Sequence, residues 1–155
     1  MVSKLEIASG TFIRLNKLAL CYVPYLKIAE RVMPNLSMLQ RLTVVRPKRL
    51  QDIDVGEINR VGTSKFHITI CNGEWTKNKT RSVFDLYTQL EMARHLAHEL
   101  AHLAMYIRQP PKFWLEHHTE HERYQNYLMD FFTFHLDAIG YTGEEDERAH
   151  DKCLK

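Results

Sequence analysis

Three things are missing from this chain, and each absence removes a class of protein. No apolar run reaches the roughly 18 residues that a membrane-spanning helix needs, so no transmembrane segment is expected. Met1-Val2-Ser3-Lys4-Leu5-Glu6 contains no long apolar stretch, and no signal peptide is expected. Cysteine is scarce. Cys21, Cys71 and Cys153 are isolated and odd in number, which suits neither a disulfide framework nor a Cys-x-x-Cys zinc ribbon. Reduced cysteines in an intracellular, cytoplasmic protein are the expectation. No internal repeat or low-complexity segment is present either.

What remains is ordinary globular material. The 155 residues are 45% hydrophobic and 26% charged, enough for one domain with one core. The domain is expected over residues 1–143, with 144–155 as an acidic tail that begins beyond Gly143 at Glu144-Glu145-Asp146-Glu147. The net charge of +2 conceals an asymmetry. Residues 1–82 carry 14 Lys/Arg against 6 Asp/Glu, and residues 83–155 carry 7 against 13. A basic first half suits nucleic acid or an acidic partner, and its dispersed charges equally suit a solvated surface.

Along the chain, residues 11–40 read as mostly helical, with Tyr25, Ile28, Ala29 and Val32 at helical spacing before Pro34. The texture then turns to strands. Arg41–Arg46 is rich in β-branched residues, Glu57–Val61 is a weaker candidate, and Lys65–Ile70 alternates with period two. Three short strands imply a small sheet, with Phe66, Ile68 and Ile70 on one face and His67 and Thr69 on the other. If Lys65–Ile70 lies at the sheet edge, it can pair with an extended peptide.

Ser82-Val83-Phe84-Asp85 has the form of a capping box, and the helix it opens should run from Val83 to about Arg108, where Pro110-Pro111 stops it. Leu86, Leu90, Ala93, Ala97, Leu100, Ala101 and Ala104 form its apolar surface. A last helix should start at Thr119 in a second capping box, with Tyr124, Leu128, Phe131, His135 and Ile139 facing the core.

The long central helix carries His98-Glu99-Leu100-Ala101-His102. Residues i and i+4 lie on one helix face, so both imidazoles can reach one metal ion. Glu99 sits beside them as a general base for water. With nine His and twelve Glu in the chain, chance supplies this pattern about 0.04 times. Six of the nine histidines fall between positions 95 and 121, so a third ligand belongs near the start of the last helix. His118 is the first choice, and His121, Glu122 and His117 are the alternatives. His95 reads as a helix-surface residue, and Tyr106, one turn beyond His102, as a packing residue or a substrate contact.

These residues resemble the SprT-like group of zincin metallopeptidases. The resemblance rests on His98-Glu99-Leu100-Ala101-His102-Leu103, the small sheet before that helix, and a His near the start of the next. It covers roughly residues 41–136. It implies an α+β fold, a minimal zincin with a three-stranded sheet packed on helices. It implies Zn2+ on His98, His102 and His118, Glu99 as general base, and protein or peptide substrates. Members of the group are linked to proteolysis of proteins on DNA, which suits the basic first half. The sequence departs from the group where Thr119 follows His118, Glu122 stands in place of an aromatic residue, and the Cys-rich ribbon is missing. The competing expectation is a non-enzymatic module that binds metal or nucleic acid.

Overall fold

The computed structural model describes residues 3–8, 10–45, 56–61, 65–71, 86–117 and 119–138. They form a mixed α+β arrangement of five strands and three α-helices. The strands are β1 (Ser3–Glu6), β2 (Phe12–Leu15), β3 (Leu39–Val45), β4 (Gly56–Val61) and β5 (Lys65–Cys71). The helices are α1 (Val23–Val32), α2 (Leu86–Arg108) and α3 (Thr119–Ala138).

The sheet has five strands rather than the expected three, in the order β1-β2-β3-β5-β4. The two extra strands are a hairpin inside and before the stretch read as helical. Ile13 and Leu15 point into the core while Phe12 and Arg14 point out, a period of two that lasts only four residues. Gly10 lets the hairpin turn at φ +81°, and its N–H donates to the Ile7 carbonyl at 2.9 Å. β2 then pairs parallel with β3. Asn16 extends that pairing with its side chain. Its Nδ2 donates to the Val44 carbonyl at 2.7 Å and its Oδ1 accepts from the Val44 N–H at 3.0 Å.

β5 lies inside the sheet, parallel to β3 and antiparallel to β4. It is therefore not an edge strand; among the described residues the edges are β1 and β4. β5 meets the expected alternation, with Phe66, Ile68 and Ile70 buried and His67 on the opposite face. That second face of the sheet carries the exposed residues Lys4, Glu6, Phe12, Arg14, Gln40, Arg41 and Asn59.

The core lies between the sheet and the helices. Leu15, Leu42, Ile68 and Ile70 meet Tyr25, Leu26, Ala93, Leu96, Ala97 and Leu100, all 1% exposed or less. α2 ends at Arg108 as expected, ahead of the prolines. Its expected capping box at Ser82–Asp85 lies outside the described residues, as do Ile139 and the whole of 139–155. α3 begins at Thr119 as expected, but its core face is rotated. Leu128, Phe132 and Leu136 are buried, while Phe131 is 37% exposed. Phe132 meets Tyr25 edge-on at 5.3 Å, and that contact selects the face.

Cys71 lies outside any disulfide, whereas Cys21 is disulfide-bonded, so the odd count did not exclude a bridge. Among the described residues, no helix is long and apolar enough to cross a membrane.

Candidate metal centre

α2 supplies two imidazoles because 23 residues without glycine or proline keep helical phase from Leu86 to Arg108. His98 and His102 fall one turn apart, on the side of α2 that faces the start of α3. After Arg108 the double proline ends the helix, and a short 3-10 turn at Pro111–Phe113 sends the chain back. That return brings His117 over the pair, and the first turn of α3 adds His121. The four rings meet with centroid separations between 4.1 and 5.1 Å. One donor nitrogen from each lies within 4.8 Å of all the others.

The hydrogen bonds fix which nitrogen each ring presents. His102 Nδ1 donates to the Trp114 carbonyl at 2.9 Å, so Nε2 keeps its lone pair. His98 Nδ1 donates to Gln125 Oε1 at 3.1 Å, which again leaves Nε2. His121 Nε2 donates to the His98 carbonyl at 3.0 Å, which leaves Nδ1. Each of these rings is thus anchored at one nitrogen, the arrangement that orients histidines toward a metal. His117 Nε2 lies 3.1 Å from His102 Nε2.

This donor set could hold a metal ion. An ion about 2.05 Å from each nitrogen would hold the nitrogens about 3.3 Å apart and the ring centroids about 5 Å apart. Imidazole nitrogen suits zinc, copper, iron or nickel. The two α2 rings, His98 and His102, are also pushed toward the neutral form. Burial pushes His102 down to about 4, with the neighbouring His121, His98 and His117 pushing the same way and the Trp114 carbonyl resisting. Burial lowers His98 as well, against its bond to Gln125. Neutral imidazole is the form that binds metal.

Glu99 is 4% exposed in the turn that joins the two histidines. On the helical wheel it stands about 60° from His102. His118, the favoured third ligand, lies outside the described residues. The described residues that join His98 and His102 are His121 and His117, the second and last choices from the sequence. Glu122 is exposed and stays out of the cluster.

His95 is not a surface residue. Its side chain is 11% exposed, its Nδ1 is buried without a hydrogen-bond partner, and burial pushes its imidazole down to about 4. Tyr106 packs between Phe66 and Trp114, with ring centroids 4.5 and 4.6 Å away. Arg60 of the edge strand lies over the Trp114 ring at 5.8 Å, which ties β4 to the loop beside the cluster. Trp114 and Gln125 were not legible as participants. One acts through its main-chain oxygen, and the other is a glutamine one turn past His121 with no sequence pattern of its own.

No protein-family model matches this chain, and no curated protein or solved structure matches it either.

Proposed function

We propose that the chain is a zinc-dependent peptidase of minimal zincin type, with His98, His102 and His121 holding Zn2+ and Glu99 as the general base. The observation that carries this reading is the burial of Glu99 between two histidines whose rings converge with two more. A carboxyl group buried within one turn of metal-binding imidazoles is placed where a base for bound water is needed. Bound zinc would supply Lewis-acid charge, which acidifies water toward a pKa of ~7 and polarises the substrate carbonyl. Glu99 takes the proton as the water oxygen bonds to the carbonyl carbon. It then delivers that proton to the nitrogen as the C–N bond breaks, leaving a carboxylic acid and an amine. The edge of β4 suits an extended substrate that adds as a further strand, and the Arg60–Trp114 contact would lead such a strand past the cluster.

The exposed sheet face supports nucleic acid as a partner. Lys4 stands opposite Arg14, Arg14 opposite Arg41, and Arg41 opposite His67, one row across four strands. Like charges directly opposed on neighbouring strands are destabilising, so the row carries a cost that a polyanion would offset. Phe12, 50% exposed and 5.9 Å from Lys4 Nζ, offers a ring for base stacking beside it.

Four imidazoles also favour a second reading, a non-catalytic metal module, because structural sites fill all four positions with protein ligands. Glu99→Gln separates the two. We expect the variant to keep its zinc while cleavage of an unfolded protein substrate falls by about 10²–10⁴-fold. Undiminished cleavage would remove Glu99 from the mechanism. A zinc-loaded wild type with no cleavage of any protein substrate, nucleic acid present or absent, would favour the module.

A further inference from the structure

The peptidase reading needs three protein ligands and one open position, yet four histidines converge. The four are not held alike. His98 is anchored by Gln125, His102 by the Trp114 carbonyl and His121 by the His98 carbonyl. All three sit on helices. His117 sits on the non-helical return after Trp114, is exposed, and has His102 Nε2 as its one hydrogen-bond contact among the described residues. No acceptor anchors its second ring nitrogen there.

We infer that His117 is a displaceable fourth ligand, which closes the metal site at rest and swings away when a competing donor takes its position. The inference rests on the proposed three-histidine zinc site and adds its regulation. Metal-ligating histidines are normally held by a partner at the other nitrogen. A ring held only by its neighbours in the cluster leaves at the least cost. Its departure breaks no other described hydrogen bond and carries an exposed side chain further into water. The return segment Leu115–His117 is also open to solvent, with Leu115 65% exposed. The resting chain is then protected from idle hydrolysis. Substrate engagement along β4, next to Trp114, would favour the open form at the loop that carries His117.

The expected size of the effect follows from populations. If His117 is bound in nine molecules of ten, a competing ligand sees its affinity reduced about tenfold. The test uses the whole chain loaded with Co2+ and read by its visible d–d spectrum and by X-ray absorption. The wild type should show a four-coordinate ion with four imidazoles. Acetohydroxamate should replace one of them and raise the coordination number. His117→Ala should still load fully, show three imidazoles and one oxygen, and bind acetohydroxamate about tenfold more tightly or better.

A wild-type ion with three imidazoles and an oxygen would overturn the inference. So would a His117→Ala chain that folds by circular dichroism but no longer loads metal, since that would make His117 an essential ligand. If that variant does not fold, the imidazole count in the wild type and its change with acetohydroxamate decide alone. None of these readings depends on proteolysis. Failure of the peptidase reading appears instead in the Glu99→Gln comparison.

Discussion

At the scale of single residues, the site is defined as much by anchors as by ligands. Gln125 accepts from His98 Nδ1, and no other described group does so. Gln125→Leu keeps the bulk and removes the acceptor, so zinc affinity measured by chelator competition should fall about 10–100-fold. An unchanged affinity would show that Gln125 does not orient the ring. His95 gives a second residue-scale prediction. Burial holds its imidazole near 4, against the pull of the Glu91 carboxylate 3.5 Å away, while in the unfolded chain it titrates near 6.5. The unfolded state therefore binds the proton first as pH falls. The contribution is fully present above about 6.5 and is lost on the way down to about 4. For the metal-free protein, His95 should cost about 2 kcal/mol between pH 7 and 5. His95→Leu should lack that share when urea unfolding is followed at both pH values. Equal losses in the two proteins would contradict a buried neutral imidazole.

At the scale of elements, strands declared their faces and α3 did not. β5 alternates strictly over Lys65–Cys71, so its buried and exposed sets follow from the pleat alone. α3 carries Tyr124, Tyr127, Phe131, Phe132 and Phe134 around much of its circumference, so hydrophobic spacing fits more than one core face. Packing against α1 and α2 chose Leu128, Phe132 and Leu136. Two substitutions check that choice. Phe132→Ala should cost about 3–5 kcal/mol in chemical unfolding, because Phe132 is fully buried against Tyr25. Phe134→Ser should stay within about 0.5 kcal/mol, because Phe134 is 73% exposed. Comparable costs for the two would place the helix in a different rotation. The β1–β2 hairpin escaped the sequence reading for a related reason. Four residues of alternation next to a helical stretch do not outweigh it until β3 supplies the partner.

At the scale of the whole molecule, the charge asymmetry becomes a surface. The basic first half places Lys4, Arg14, Arg41 and His67 in one cross-strand row, on the sheet face away from the helices. Arg41→Ala should weaken binding to a labelled single-stranded oligonucleotide and lower the slope of log affinity against log salt by about 1. An unchanged slope would return the row to a solvated surface.

The sequence by itself determined what has a short period: two imidazoles and a carboxylate on consecutive turns of one helix, the faces of β5, and the helix ends at Arg108 and Thr119. Only the tertiary structure decided which further histidines reach the pair, that β5 lies inside the sheet with β4 at one edge, and that a main-chain oxygen of Trp114 and the amide of Gln125 set the tautomers. Those outcomes depend on the path of the return after Pro111 and on how α3 lies against α2. Distances between segments far apart in the chain fix both, and such distances leave no repeat for a sequence pattern to carry.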